Sequence, residues 1–236
     1  MLKMTMAIKE LKKQHAFPFY VFLTIGEVVL IVLGILLALQ FDNWDKDQEY
    51  REIEQQYYQD LATQLHDDKH ELLGTINYSN RFRVQYVQAL HIIATDDQSR
   101  QSDLAKYALN LKSYSDFRRK STVYQTLVSS GDIKHIQNKK LIAMLQNLES
   151  EYSYIERMED IHRDVILESI FPSFLIKAIR VSDLSLVEPK ILYNYQFENI
   201  VIVTVGLMDE KTDIYKNAIA EIDVILAQIE NPDNNE

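Results

Sequence analysis

Residues 17–41 read FPFYVFLTIGEVVLIVLGILLALQF, an apolar run with a single charged residue, Glu27. At 1.5 Å per residue a helix of this length spans roughly 37 Å, enough to cross a hydrocarbon core of about 30 Å with some tilt. Aromatic rings stand at both ends, with Phe17, Phe19 and Tyr20 before the run and Phe41 and Trp44 after it. Amphipathic rings settle at headgroup level in this way, so a transmembrane helix is expected with Tyr20 and Trp44 as interfacial anchors. A cleaved signal peptide presents basic and apolar blocks in the same order. This run is too long for one, and Gln40-Phe41-Asp42-Asn43-Trp44 is bulky and polar where a small-x-small cleavage site is needed.

The flanks orient the run. Lys3, Lys9, Lys12 and Lys13 precede it against Glu10 alone, a local net of +3 in a chain of formal charge -10, which leaves -13 to the rest. Asp42, Asp45, Asp47 and Glu49 follow it, with Lys46 the one local base. The positive-inside rule then makes residues 1–16 a cytoplasmic basic tail, 17–41 the membrane helix and 42–230 an extracytoplasmic domain. In a Gram-negative cell that is an inner-membrane protein with a periplasmic domain. The acidic balance argues against a nucleic-acid partner. With no cysteine there are no disulfides, thiolate metal sites or cysteine nucleophile.

Within the run, Gly34 and Ala38 form a small-xxx-small pair with Gly26 two turns earlier, a pattern that lets a second helix approach closely. Glu27 sits near the middle, where an acidic side chain costs about 2.5–3.5 kcal/mol on insertion scales. Thr24, Glu27 and Gly34 share a helical face at spacings of 3 and 7. That face, Thr24, Gly26, Glu27, Gly34 and Ala38, is the expected membrane-helix interface. Its expected partner is a second copy or another membrane protein, with lipid on the remaining faces.

Beyond Trp44 the period stays helical. Only Gly74, Gly131, Gly206, Pro172 and Pro189 serve as breakers between residues 42 and 230, too few for a β or α/β domain. The fold class expected is all-α, the membrane helix running into an antiparallel bundle of long helices. A first helix carries Ile53, Tyr57, Leu61, Leu65, Leu72, Ile76, Tyr86, Leu90 and Ile93 to about Ala94. Short helices follow, from Ser102 as N-cap to about Tyr114 and from Thr122 to Ser130, the second closed by Gly131. Asn138 caps a long helix through Leu141, Leu148, Ile155 and Ile161 that is expected to persist to Phe171 and to break or kink at Pro172. Residues 181–193 read as irregular. The β-branched IVIVTV at 200–205 reads as strand on propensity, yet it lies in step with Ile214, Ala218, Ile222 and Ile225, so one helix from about Tyr195 to Ile229 is expected. The polar end, 231–236, reads as a disordered tail.

Chemistry-bearing motifs are sparse. His66 and His70 are four apart on a helix, the spacing that puts two imidazoles on one face, and a third ligand from His135 or His162 would complete a metal site. The run HDDKHE places Asp67 where a zinc protease has its glutamate. The carboxylate groups Asp67/Glu71, Glu156/Glu159/Asp160 and Asp209/Glu210 read as solvated helix faces. There is no phosphate-cradling glycine loop, nucleophile elbow or dinucleotide fingerprint. No catalytic residue, metal or cofactor is therefore expected.

Two stretches resemble a known family. IGEVVLIVLGILLALQFDNW, through Ile25, Gly26, Glu27, Gly34, Ile35, Ala38, Leu39, Gln40, Asn43 and Trp44, is similar to the N-terminal signature of a domain-of-unknown-function family of short membrane proteins typical of Bacteroidota. TVYQTLVSSGDIKHIQNKKLIAML resembles that family's second signature through Thr122, Tyr124, Leu127, Ser130, Gly131, Ile136, Asn138 and Leu141. The resemblance implies a single-pass membrane protein with a helical soluble region, helix at 200–205, and no assigned activity, and it supplies no catalytic residues to carry over. The function expected is a non-enzymatic interaction or scaffold protein that self-associates. The alternatives are a periplasmic helical sensor module for a small ligand, and an accessory subunit of an ion-driven membrane complex that uses Glu27.

Overall fold

The computed structural model describes residues 2–119, 122–180, 182–183 and 185–230, with residues 2–24 described as helical backbone only. The expectations for the side chains of residues 1–24 and for the tail 231–236 fall outside what is described. The fold is all-α. Among the described residues, six α-helices are accompanied by one antiparallel ladder of two short strands: α1 Leu2–Ala94, α2 Gln101–Asn110, α3 Val123–Ser130, α4 Lys139–Asp164, α5 Ile176–Ala178 and α6 Tyr195–Glu230, with β1 Ile179–Arg180 and β2 Ser185–Leu186.

The chain divides into two units, Met1–Gln55 and Gln56–Glu236. In the first, α1 is long and apolar enough to cross a membrane by length and composition, and the apolar window is 0% buried within the protein. Ile25 through Phe41 are all exposed.

The second unit is built on three helices. Side-chain pairs fix their directions: Lys69 with Asp223 and Arg83 with Asp209 make α6 antiparallel to α1. Tyr215 with Glu159, and Lys211 with His162, make it antiparallel to α4. The second half of α1 and α4 therefore run the same way, and the α2–α3 connection carries the chain back between them. Two apolar clusters stack along the unit. One gathers Tyr86, Ala89 and Ile92 of α1 with Leu104, Leu111, Ile170, Leu192 and Phe197. The other gathers Leu61, Leu65 and Leu72 with Leu141, Leu145, Leu148, Tyr215 and Ile222. Burying each such side chain contributes about 1.5–3 kcal/mol.

The helix ends follow local chemistry. α1 stops in a Schellman arrangement: Asp96 adopts φ 48, Asp97 N–H donates to the Ile92 carbonyl at 3.1 Å and Asp96 N–H to that of Ile93 at 3.1 Å. Gly131 closes α3 at φ 80, and Asn138 Oδ1 accepts from Leu141 N–H at 2.9 Å to start α4. The residues 195–230 form one helix, as the period and the resemblance imply.

Three local expectations are corrected. Ser102 does not cap α2: a 3-10 turn, Gln98–Arg100, precedes it, with Asp97 accepting from Ser99 N–H. α2 ends at Asn110 rather than near Tyr114, and Leu111–Arg119 carries no regular structure beyond a turn at its start. The long helix is not broken at Pro172. It passes into a π-helix, Val165–Leu175, whose wider i→i+5 spacing accommodates a residue with no N–H to donate.

At Gly131 an added Cβ would meet nothing within 4 Å, so only the left-handed backbone opposes a side chain. Gly131→Ala is expected to lower unfolding free energy by about 1 kcal/mol in a denaturant titration. A larger loss would mean that the α3 turn packs more tightly than described.

Candidate functional site

Between the two apolar clusters lies a layer of buried polar side chains. It exists because Leu111–Arg119, here called the strap, threads the bundle without regular structure, so its backbone groups need partners from the helices. Phe117 N–H donates to Glu159 Oε1 at 2.7 Å, and Tyr215 Oη donates to the same oxygen. Lys211 Nζ donates to the Ser115 carbonyl at 2.6 Å and lies 3.5 Å from His162 Nδ1. Exposure is 8% for Glu159, 2% for His162 and 2% for Lys211.

A second group extends the layer toward α1 and α3. Tyr152 Oη donates to Asp68 Oδ2 at 3.0 Å, and Gln64 Nε2 donates to the same atom at 3.1 Å. Gln64 Oε1 in turn accepts from Val123 N–H at 2.8 Å, at the start of α3. Arg119 pairs with Glu149 through both terminal nitrogens, at 3.0 and 2.6 Å, and lies over the Tyr152 ring at 4.3 Å. The same ring meets Phe117, with centroids 5.4 Å apart.

Burial sets the electrostatics of the layer. It pushes the Glu159 carboxyl up to about 7, against the opposing pull of the Tyr215 and Phe117 hydrogen bonds and of Lys211. Burial, with Lys211 adding to it, pulls His162 down to about 4, so this imidazole is neutral at pH 7. The same loss of water lowers Lys211 and raises Asp68. Three buried atoms here have no hydrogen-bond partner: Asp116 Oδ1, Arg119 Nε and His162 Nε2. Such an arrangement holds titratable groups out of water among fixed partners.

The sequence reading missed this layer by taking Glu156, Glu159 and Asp160 as one solvated face. Glu156 is exposed, but Glu159 is buried. The signal was its phase: Glu159 stands four residues after Ile155 and seven before Ile166, both core residues, and His162 is seven after Ile155. Lys211 and Thr212 likewise stand three and four residues after buried Met208.

The histidine pair falls elsewhere. His66 is exposed and meets Glu230 at 3.2 Å, His70 is exposed, and His162 is beside Lys211 in the interior. Among the described residues no group of three or more His, Asp or Glu is placed to hold a metal. In the first unit Gly26, Glu27, Gly34, Ala38 and Trp44 are all exposed, and a Cβ built on Gly26 or Gly34 would meet nothing within 4 Å. Tyr20 and Thr24 belong to the stretch described as backbone only.

The two titrations oppose each other. Glu159, raised above its ordinary 4.5, contributes stability that is full below pH 4.5 and lost as pH rises through about 7. His162, depressed below its ordinary 6.5, contributes stability that is present above pH 6.5 and lost as pH falls through about 4. In melts of the full chain, Glu159→Gln should gain on the unsubstituted protein as pH rises from 4.5 to 7. His162→Gln should lose ground as pH rises from 4 to 6.5. Differences that do not vary with pH would show that neither group titrates in the folded state as described.

Comparison with protein-family models, with characterised proteins and with solved structures gives no match to this chain, so the reading of these residues stands on their own geometry.

Proposed function

We propose that this chain is a single-pass inner-membrane protein, N-terminus in the cytoplasm, whose helical domain acts outside as a non-enzymatic interaction or scaffold module. One observation carries the reading: the apolar surface of residues 25–41 is exposed along its whole length, and the window that qualifies as a span is 0% buried. An uncovered apolar surface of that size is unstable in water and stable in lipid. The sequence resemblance to single-pass membrane proteins supports the same reading, and the lysines before the span and the carboxylates after it support the orientation.

Self-association through the face of Thr24, Gly26, Glu27, Gly34 and Ala38 follows from the cost of leaving Glu27 against lipid. A helix partner lets a membrane carboxyl find a hydrogen bond, and the absent side chains at Gly26 and Gly34 let the backbones approach.

Two measurements test this. Protease added to spheroplasts should digest the helical domain and leave the N-terminal tail protected; the opposite pattern would reverse the orientation. Because the chain has no cysteine, single cysteines report cleanly on the face. Ile31→Cys, in phase with Glu27 and Gly34, should form disulfide-linked dimers in membranes, while Leu36→Cys on the opposite face should not. Adding Gly34→Leu should reduce the Ile31→Cys crosslink by about tenfold. Equal crosslinking from both faces would remove self-association from the proposal.

A further inference from the structure

Beside the polar layer, a pocket of about 320 Å³ opens between the strap, α3 and the middle of α4, within the range of small-ligand sites. Its wall carries five carboxyl groups and three guanidinium groups, which leaves it negative. The guanidinium charges are mostly spent inside the protein. Arg119 is held by Glu149 through two hydrogen bonds, and Arg163 pairs with Asp160 at 2.6 Å and Asp164 at 3.5 Å. In the charge balance of the wall that leaves Arg118 against Asp116, Glu156 and Glu159. Asp116, itself part of the wall, keeps Oδ1 buried and without a hydrogen-bond partner. Glu159 is nine-tenths buried and accepts on Oε1, yet makes no ion pair with Lys211.

We propose that this pocket binds a small organic cation with N–H donors, engaged by Asp116 and Glu156 at the rim and by Glu159 at the base. An ammonium or guanidinium group supplies what the wall lacks, a positive charge and donors for uncommitted carboxylate oxygens. An anion would find only Arg118 and Arg119 Nε as donors, set against five carboxyl groups. The site does not depend on the anchor or on self-association, so it stands or falls separately from the function proposed above.

The test uses the full chain in nanodiscs of zwitterionic phosphatidylcholine, titrated calorimetrically with L-argininamide and with L-glutamate, after subtraction of empty nanodiscs. L-Argininamide should bind saturably and L-glutamate should not. Glu156→Gln, an exposed position with no packing role, should weaken binding by about fivefold, and Asp116→Asn by about tenfold. A weakening in either variant upholds the site. No saturable binding of L-argininamide up to about 10 mM, affinity unchanged in both variants, or tighter binding of L-glutamate would overturn it.

Discussion

A stretch of irregular backbone inside a helical bundle has to have its N–H and C=O groups met by side chains, because the helices have already used their own. The strap imposes that requirement. Phe117 N–H and the Ser115 carbonyl reach Glu159 and Lys211, side chains that seldom stay buried, and these in turn draw in Tyr215 and His162. Asp68, Gln64 and Tyr152 form the same kind of answer to the N–H that opens α3. An entirely apolar seam at this level would leave these groups unmet, at about 1–3 kcal/mol each.

The layer also organises what surrounds it. It separates the cluster around Leu111 and Phe197 from the cluster around Leu65 and Ile222, so each half of the unit has its own apolar core. Polar groups with fixed partners accept only one axial alignment, whereas apolar side chains tolerate sliding by a turn. α1, α4 and α6 each contribute to the layer, and their mutual register follows from it. The pocket beside Glu159 opens where the strap leaves this layer for α3.

Most of the helical architecture was legible in the sequence because it is written in periodicity. Ile214, Ala218 and Ile222 recur in step through the β-branched run at 200–205, and packing of that stripe outweighs the strand propensity of the run. Gly131 and Asn138 mark helix ends by chemistry that acts within a few residues. The strap was not legible. Leu111, Tyr114 and Phe117 continue a plausible helical spacing, and what ends α2 at Asn110 is tertiary: Tyr86 Oη bonds to the Asn110 carbonyl and Gln85 takes its side-chain amide. The π-helix through Pro172 was hidden because no local pattern encodes its packing. The burial of Glu159 was written in its phase, but its partners Phe117 and Tyr215, more than forty residues away, were not.

α6 passes from one apolar cluster, through the polar layer, into the other without interruption. Inserting or deleting one residue between Met208 and Ile214 would turn everything beyond it by about 100°. Tyr215, Ala218, Ile222 and Ile225 would leave the core together, while Phe197 and Val201 stayed in place. The spacing of this helix is therefore under a constraint as strict as its composition. Changes in chain length are accommodated instead at the turn around Asp96 to Arg100 and at the hairpin of β1 and β2, where a protein of this plan has room to diverge.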